Sequence, residues 1–299
     1  MWVFSRFVRY FDEAARQGSM RKAGEALHVA SSSVDRQILK IEQEIGVPLF
    51  ERQSQGLALT SAGELVLDAV RKWQNEMQSL QSRIEDLKGL KRGRVVLATI
   101  EGAASEFIAS AAMDFHRSYP AVTFELLVHG AHRVTEAVQA AEVDFGLTIN
   151  PRLTPGLSVI AQKSLRVGAV VAPGHALAAR AQVRLSDCLP YRIVVAEASL
   201  DLRAIVDQVL ARSSARPEVI ASANSILLMK ELVLRGMGVG LMTEMDADKE
   251  IRAGALVYVP LADRPVPLSV LTLCVNSERQ LSLPAATLLA VVKSRLERL

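Results

Sequence analysis

The sequence predicts an α/β protein that begins with a helical segment and continues through one long helix into alternating strands and helices. Three observations predict this organisation. Apolar residues recur at helical spacing through residues 1–60, they recur in alternating steps of four and three over residues 66–87, and buried-strand runs alternate with helical stretches from residue 95 onward. The length of 299 residues favours two domains, since a domain usually takes about 150 residues.

The composition is that of an ordinary globular protein. Half of the residues are hydrophobic and 22% are charged, which excludes a collagen, a wholly disordered chain and a disulfide scaffold. The net charge of +3 is too small to indicate a nucleic-acid or membrane partner, so these sums alone favour a two-domain cytoplasmic enzyme. Arg6 and Arg9 interrupt the apolar N-terminus, and no apolar run approaches the roughly 18 residues of a membrane span. We therefore expect a cytoplasmic protein with no export signal and no membrane partner.

Residues 1–60 are predicted to form three short helices and a hairpin. The first helix has an apolar stripe of Phe4, Phe7, Val8 and Phe11. Gly18 ends it, and Ser19 caps a second helix whose inner stripe is Ala23, Ala26 and Leu27. After a tight break at His28, the third helix runs over 31–45 with a stripe of Val34, Ile38, Ile41 and Ile45, and Gly46 ends it.

The third helix leaves a polar face outside its Val/Ile stripe. The side chains on that face suit phosphates and base edges: Ser32, Ser33, Arg36, Gln37 and Lys40. Two short helices joined by a tight turn are the parts of a helix-turn-helix, whose second helix enters the major groove of DNA. The hairpin after it would be a wing from which Arg52 reaches the DNA backbone. The pattern equally fits a small helical subdomain with a solvated face.

The next helix has the cleanest periodicity in the chain. Ser61 and Glu64 stand in capping-box register at its start. Its apolar residues, spaced 4, 3, 4, 3, 4, 3, are Val66, Val70, Trp73, Met77, Leu80, Ile84 and Leu87. So narrow a stripe is typical of a coiled-coil dimer. Packing against the chain's own second domain is the alternative.

Beyond a short basic hinge, strands and helices alternate to the C-terminus, which predicts an α/β fold with largely parallel sheets. Strands are expected over 95–100, 122–128, 144–149, 166–172, 192–196, 217–221, 239–243, 255–259 and 268–275, with helices near 200–212, 224–235 and 282–298. These residues could form one large domain or two lobes. Ligands of such sheets bind beyond the carboxyl ends of the strands.

Motifs for catalysis and metal binding are weak. Ser19 to Lys22 spells S-x-x-K without its partner motifs, and Gly236, Gly238 and Gly240 follow a helix instead of preceding one, which favours a turn over a phosphate loop. His129 and His132 have no nearby carboxylate or cysteine to complete a metal site. Cys188 and Cys274 are expected to be buried free thiols. We therefore predict no metal, no cofactor and no enzyme activity.

The stretch GSMRKAGEALHVASSSVDRQILKIEQEIGVPLFERQSQGLALTSAGE resembles the N-terminal region of the LysR-type transcriptional regulators. The matching positions are Ala23, Leu27, His28, Val29, Val34, Arg36, Gln37, Ile38, Glu42, Gly46, Leu49, Phe50, Arg52, Leu59, Thr60 and Gly63. The heptad helix stands where this family has its dimerising linker. EVDFGL and GMGVGL resemble segments of the family's C-terminal domain, which is similar to periplasmic solute-binding proteins.

The resemblance implies a winged helix-turn-helix over 1–60, a dimerisation helix over 61–90 and an effector-binding domain over 91–299. Within that domain, lobe I comprises about 91–162 and 267–299, and lobe II about 163–266. It also implies DNA-contacting positions on the third helix. Ser31 and Asp35 depart from the family's usual Gln and Ser or Thr there, and Asp35 could accept a hydrogen bond from cytosine. Our hypothesis is that Arg36 and Lys40 hold phosphates while Ser32, Ser33 and Gln37 approach bases.

The family's effector-contacting positions fall at strand ends of the C-terminal domain. Carried over to this sequence, they are Thr99, Ile100, Glu101, Gly102, His129, Thr148, Ile149 and, more loosely, Ser199. Isoleucines at positions 100 and 149, where the family often has hydroxyl residues, suggest a ligand with an apolar part.

Together these features predict a sequence-specific transcriptional regulator modulated by a small-molecule effector. Its expected partners are double-stranded DNA, the effector and further copies of itself, as a homodimer or a homotetramer. An α/β enzyme or a solute-binding protein with a helical N-terminal extension is the alternative. Residues 1–60 hold eight basic and seven acidic side chains, so DNA affinity must come from where the basic ones lie.

Overall fold

The computed structural model of the protein describes residues 6–53, 56–87, 92–211, 217–263 and 268–299. Its contacts divide into two compact units. The head unit comprises Met1–Gln81 with Ala140–Glu142, and the α/β unit comprises Ser82–Gln139 with Val143–Leu299. The predicted fold class is confirmed, since a helix-turn-helix with a two-stranded wing precedes a long helix and a mixed α/β sheet.

Three helices and a hairpin build the head unit. They are α1 Arg6–Gln17, α2 Met20–Leu27, α3 Ser31–Ile45, β1 Phe50–Gln53 and β2 Gly56–Leu59. As predicted, Ser19 caps α2 by accepting a hydrogen bond from the Lys22 N–H, 3.4 Å away. His28 ends α2 in the left-handed conformation at φ 55°, and its N–H bonds to carbonyl oxygens of the preceding turn.

The apolar stripes of these helices form two buried clusters. One consists of Phe7, Val8, Phe11, Leu49, Leu67 and Val70. The other consists of Ala14, Ala23, Val34 and Ile38. Ile45, predicted as the last residue of the α3 stripe, is 49% exposed because it lies in the final turn, where the chain leaves the helix at Gly46. Phe4 of the predicted α1 stripe lies outside the described residues.

Hydrogen bonds of Thr60 connect the hairpin to the helix that follows it. β1 and β2 pair antiparallel, with Phe50 opposite Leu59, while the predicted turn residues 54 and 55 lie outside the described part of the chain. Helix α4 spans Ser61–Leu87, but its cap is Thr60 and not the predicted Ser61. The Thr60 hydroxyl accepts a hydrogen bond from the Gly63 N–H at 3.0 Å. The Thr60 N–H also bonds to the Leu49 carbonyl, which fixes the extended backbone that an N-cap residue adopts.

The α/β unit alternates strands and helices as predicted. Its strands are β3 Gly93–Thr99, β4 Val122–Val128, β5 Phe145–Ile149, β6 Leu157–Val171, β7 Ile193–Ala196, β8 Val219–Ala223, β9 Val239–Thr243, β10 Val257–Pro260 and β11 Leu268–Asn276. Its helices are α5 Glu101–Ala103, α6 Ala109–Ser118, α7 Ala131–Gln139, α8 Leu185–Cys188, α9 Asp201–Leu210, α10 Ile226–Leu234, α11 Asp248–Arg252 and α12 Leu283–Arg298. A π-helical turn, Ala104–Ile108, joins α5 to α6, and a 3-10 turn, Met245–Ala247, precedes α11.

The strand order is β4-β3-β5-β11-β6-β9-β7-β8, with β10 also beside β6. Parallel pairing holds for β3 with β4 and β5, and for β7 with β8 and β9. The prediction of a largely parallel sheet was wrong for β6 and β11, which are antiparallel to all their described neighbours. The reason is topological: β6 carries the chain out of the first half of the sheet into the second, and β11 returns it.

Strand β6 is also longer than predicted, because it begins at Leu157 and not near residue 166. Its first half alternates partly buried and exposed residues, so a search for continuous apolar runs misses it. The strand pairs with β11 as far as Arg166 and with β9 from Val167. It therefore links the two halves of the sheet.

Each half of the α/β unit contains a largely buried ion pair. In the first half Arg279 lies 2.9 Å from Asp144, whose pKa is raised by burial although the Arg279 charge opposes that shift. In the second half the Lys230 ammonium lies 2.8 and 2.9 Å from the two carboxylate oxygens of Glu250. Such pairs make the loss of either partner costly, because the other charge is left buried.

Candidate DNA-binding surface and ligand cavity

Helix α3 presents its polar face to solvent. Ser31, Ser32, Ser33, Arg36 and Lys40 are exposed, whereas Asp35 and Gln37 are half-buried. The opposite face carries Val34 and Ile38 into the head core. Lys40 lies 3.8 Å from Glu44 in an exposed pair, which is weak enough to open when a phosphate approaches. The predicted DNA-contacting residues of α3 therefore all lie outside the buried face of the helix. Five of them are exposed, and Asp35 and Gln37 are half-buried at the border between the two faces.

The turn between α2 and α3 depends on a glycine. A Cβ at Gly24 would lie 2.9 Å from the Val29 carbonyl oxygen and 3.1 Å from backbone atoms of Ser31. Both contacts are with backbone, which cannot swing aside as a side chain can. Gly24 therefore lets the start of α3 pack closely on α2, and this closeness sets the direction of the polar face.

The turn between α3 and the wing is held by a carboxylate that sequence reasoning did not single out for this role. Glu42 accepts hydrogen bonds from the Leu49 N–H at 2.7 Å and the Phe50 N–H at 3.1 Å. The Leu57 N–H in β2 bonds to the Gly18 carbonyl, which ties the wing to the α1–α2 turn. Arg52 lies in β1, and its side chain is outside the described part of the structure.

The predicted dimerisation stripe of α4 is only partly covered within the single chain. Val70 is buried in the head core, and Val66 and Met77 are half-buried. The large apolar residues left exposed are Trp73 at 53%, Leu80 at 45% and Ile84 at 45%. Leu87 ends the helix, and its side chain lies outside the described part.

A cavity of about 240 Å³ opens in the α/β unit where several strands end. Its lining consists of Ile100, Glu101, Gly102, Val128, His129, Gly130, Ala131, Ile149, Leu200, Asp201, Leu202, Asn224, Ile226, Thr243 and Asp246. Seven of these residues are apolar, six have polar or charged side chains and two are glycines. Apolar walls combined with polar groups that can orient a ligand are typical of a small-molecule site. The volume lies below the range of about 300–1,000 Å³ that drug-sized ligands occupy, so a small metabolite fits it best.

Five of the eight predicted effector residues line this cavity. They are Ile100, Glu101, Gly102, His129 and Ile149. Thr99 and Thr148 are buried next to it in β3 and β5, where the Thr148 hydroxyl donates to the Ala131 carbonyl at 3.1 Å. Ser199 is not among the lining residues, although its carbonyl oxygen would lie 4.0 Å from a Cβ at the lining residue Gly130. Its N–H and hydroxyl both bond to Glu197, at 2.8 and 2.6 Å.

Glu101 links the two sides of the cavity. Its carboxylate accepts hydrogen bonds from the Ser225 hydroxyl at 2.9 Å, the Ile226 N–H at 3.0 Å and the Leu227 N–H at 3.1 Å. The two N–H groups belong to the first turn of α10, where a helix has no internal acceptors for them. A carboxylate from the end of β3 thus caps a helix that lies more than a hundred residues away in the sequence.

Thr243 and Asp246 form a second polar group in the lining. One Asp246 carboxylate oxygen accepts from the Thr243 N–H at 2.8 Å and from its hydroxyl at 2.7 Å. The other oxygen faces Gly102 so closely that a methyl group there would collide with it. Burial raises the pKa of Asp246, although its hydrogen bonds with Thr243 oppose the shift. The Thr-x-x-Asp spacing after β9 is the signal that could have indicated this pair from the sequence.

A larger cavity of about 520 Å³ lies between the C-terminal helix and α6. Its charged residues largely satisfy one another: Arg295 bonds to Asp114 and to the Ser110 hydroxyl, and Arg252 lies 2.9 Å from Asp248. These pairs leave little polar chemistry for a ligand, so the smaller cavity is the better candidate site.

Two family profiles match the chain. The profile described as "Bacterial regulatory helix-turn-helix protein, lysR family" matches residues 5–64, and that of the "LysR substrate binding domain" matches residues 88–297. The chain belongs to the LysR family of transcriptional regulators. This confirms both the resemblance and the predicted function class of the chain.

Three proteins illustrate what this LysR-family chain is similar to. It is 26% identical over 260 residues to a "Probable RuBisCO transcriptional regulator" of Trichormus variabilis, covering 85% of this chain and 77% of that protein. Among solved structures it is similar to a full-length OxyR variant from Pseudomonas aeruginosa, with a TM-score of 0.69, 19% identity and coverage of 97% and 93%. Full-length CbnR in complex with its target DNA gives a TM-score of 0.67 at 18% identity, with coverage of 97% and 99%.

The remaining motifs of this LysR-family chain have structural roles. Ser19 of the S-x-x-K pattern is the cap of α2, and Gly236 ends α10 at φ 77° before β9 begins. In the described part of the chain, no three His, Cys, Asp or Glu side chains are grouped to hold a metal ion. Cys188 and Cys274 are free and buried, and burial raises the pKa of both thiols to about 12. Among the described helices, none is both long and apolar enough to cross a bilayer.

Proposed function

We propose that this LysR-family regulator binds a specific double-stranded DNA sequence through the polar face of α3. The observation that carries the proposal is the exposed row of Ser32, Ser33, Arg36 and Lys40 on a helix whose other face is buried in the head core. A helix of this kind fits the major groove. Arg36 and Lys40 would hold phosphates, Ser32, Ser33 and Gln37 would approach bases, and Arg52 would reach the backbone from the wing.

Asp35 and Ser31 complete the proposed DNA surface. Both lie in the first two turns of α3, where the N–H groups of the helix end favour a negative charge. Asp35 is half-buried, so its carboxylate approaches the groove from the edge of the polar face. There it could accept a hydrogen bond from the amino group of a cytosine.

We infer that the regulator acts as a homodimer through α4 and that dimers pair into tetramers. Trp73, Leu80 and Ile84 form an exposed apolar stripe, and a stripe this narrow is the kind that a second helix covers. The edge strands β4 and β8 of the α/β sheet also carry exposed apolar residues, namely Leu126, Val128, Val219 and Ile220. Unpaired edges of this kind invite a second contact between copies. A dimer would place two heads on two half-sites.

We propose that a small-molecule effector occupies the 240 Å³ cavity and shifts the population of α/β-unit conformations. Glu101 supports this proposal, because it joins the end of β3 to α10 across the cavity wall. A ligand that weakens these hydrogen bonds would loosen the connection between the end of β3 and α10, and would thereby favour one conformation of the α/β unit over another. The function we assign is regulation in the cytoplasm, where chromosomal DNA lies, because the chain belongs to a family of transcriptional regulators.

The test measures DNA binding by fluorescence anisotropy on the intergenic DNA beside the protein's own gene, with a shuffled fragment as competitor. Arg36→Ala should weaken binding and lower the slope of log K against log salt by about one, because one phosphate contact is lost. Lys249→Ala removes the same charge from an exposed position of α11 and should leave both unchanged. Sequence-specific binding would be contradicted if the protein bound the intergenic fragment and the shuffled fragment with equal affinity and also showed no preference among genomic fragments.

A further inference from the structure

The charged residues of the 240 Å³ cavity are all acidic. Glu101, Asp201 and Asp246 line it, and none of the described lining residues is a lysine or an arginine. Its other walls are largely apolar, with Ile100, Ile149 and neighbouring aliphatic side chains. A ligand with a carboxylate would bring a fourth acidic group into this space without a cationic side chain to meet it, which is unfavourable at low dielectric.

Helix N-termini are the other feature of a protein that commonly attracts an anion, and at two of those that border the cavity the chain supplies an acidic side chain itself. At the start of α10, the Ile226 and Leu227 N–H groups are bonded to the Glu101 carboxylate. At the start of α9, Asp201 lies in the first turn, next to the cavity. The start of α7 at Ala131 also borders the cavity and has no acidic residue in its first turn, but the roughly half unit of positive charge at one helix end is outweighed by the three acidic side chains of the lining.

The second carboxylate oxygen of Asp246, at the cavity wall, takes part in none of the described hydrogen bonds. Thr243 donates two hydrogen bonds to one carboxylate oxygen, and the other faces Gly102 at the cavity wall. The charge of Lys230 acts on this carboxylate, but the Lys230 ammonium is bonded to both oxygens of Glu250. A buried carboxylate in this position gains from a cation that enters with a ligand.

We propose that the cavity binds a small effector that has an apolar body and a positively charged amine, with the amine directed to Asp246. The aliphatic walls hold the body of the ligand, and Asn224 and His129 are the other polar groups within reach of it. This inference rests on the proposed function, because it names the chemical class of the effector for the same cavity. It also extends the sequence-based expectation of an apolar ligand by giving the sign of its charge.

The experiment uses the full-length protein and pairs of ligands with the same body and different charge. Phenethylamine is compared with phenylacetate, and hexylamine with hexanoate, by isothermal titration calorimetry. Phenethyl alcohol serves as the neutral member. We expect the amines to bind at least about tenfold more tightly than the matching carboxylates, with the alcohol between them.

Substitution of Asp246 locates the amine. Asp246→Asn keeps the hydrogen-bond acceptor towards Thr243 and removes the charge, so amine binding should weaken by about ten- to a hundredfold while alcohol binding is unchanged. Asp248→Asn makes the same change at a residue whose carboxylate is bonded to Arg252 and does not line the cavity, and it should bind the amines like the native protein. Circular dichroism checks that both variants are folded.

Carboxylates that bind as tightly as the amines would overturn the proposal, as would the failure of every amine to bind at millimolar concentration. An Asp246→Asn variant with undiminished amine binding would also overturn it. These results are separable from a failure of the proposed function, which is measured with DNA. If the protein bound amines in this cavity but showed no sequence preference on DNA, the proposed ligand class would stand and the proposed regulator function would be wrong.

Discussion

The contact between Glu101 and the first turn of α10 gives a sharp test of how the α/β unit is held together. The carboxylate accepts three hydrogen bonds, from the Ser225 hydroxyl and from the N–H groups of Ile226 and Leu227, at 2.9–3.1 Å. Glu101→Gln preserves the shape of the side chain but replaces one acceptor oxygen with an NH₂ donor. That donor faces groups that are themselves donors, so at least one bond is lost together with the favourable charge at the helix N-terminus.

The size of the effect follows from these losses. An unsatisfied donor costs about 1–3 kcal/mol when buried, and a charge at a helix N-terminus contributes about 0.3–1 kcal/mol. Glu101 is half-buried, so water restores part of the lost bonding. We therefore expect the free energy of unfolding of the α/β unit to fall by about 1–3 kcal/mol, which lowers its melting temperature by roughly 2–10 °C.

The assay is thermal unfolding of the full-length protein, with hydrogen exchange at the amides of α10 as the local readout. Exchange is needed because a chain with two compact units does not have to melt in one transition. Glu106→Gln, in the π-helical turn that follows α5, is the matched control, because none of the side-chain hydrogen bonds described above involves it. The capping argument would be wrong if Glu101→Gln had the same melting temperature as Glu106→Gln and its α10 amides exchanged at the same rate as those of the native protein.

Three further predictions concern other parts of the chain. Lys230→Met should lower the free energy of unfolding by about 3–5 kcal/mol in urea titrations because it leaves Glu250 buried and unpaired, whereas the double variant with Glu250→Leu should recover most of the loss. Gly24→Ala should abolish DNA binding in the anisotropy assay, since its methyl group forces α3 away from α2, while amine binding to the α/β unit persists. The Cys188 thiol should resist labelling by a thiol reagent at pH 8. Because its folded pKa of about 12 lies above the ordinary value of 9.0, its contribution to stability is full below about pH 9 and should be lost as the pH rises towards 12.

The parts of the fold that the sequence predicts well are those with a strong local period. The stripe of α1 and the strands β3, β4 and β5 fall where apolar spacing puts them, because burial of one face or both leaves that period in the sequence. The antiparallel course of β6 and β11 has no such local trace, because it follows from how the chain passes between the two halves of the sheet. The start of α4 at Ser61 was predicted, but its cap was placed one residue too late, because the tertiary contact of Thr60 with Leu49 decides which residue caps the helix.

The residues of the candidate cavity were likewise only partly predictable from the sequence. Strand-end reasoning and the family resemblance together indicated Ile100, Glu101 and His129, which line it. Asn224, Thr243 and Asp246 come from segments far along the chain, and no local pattern shows that they face the same space. Ser199 lies close in sequence to the lining residue Leu200, but Glu197 binds its hydroxyl, so a shift of one residue separates a lining position from a surface turn.

The near-neutral charge of the head is compatible with DNA binding because two of its acidic residues, Glu13 and Glu42, are used within the fold. Glu13 is bonded to Arg16 and Gln17, which lowers its pKa, and Glu42 is bonded to the backbone before the wing. These carboxylates stabilise α1 and the α3–wing turn, away from the exposed face that holds Arg36. A net charge counts them equally with Arg36, but the potential at a phosphate depends on distance and screening, with a Debye length of about 8 Å at physiological salt. The position of each charge, and not the sum, therefore decides the affinity of such a head for DNA.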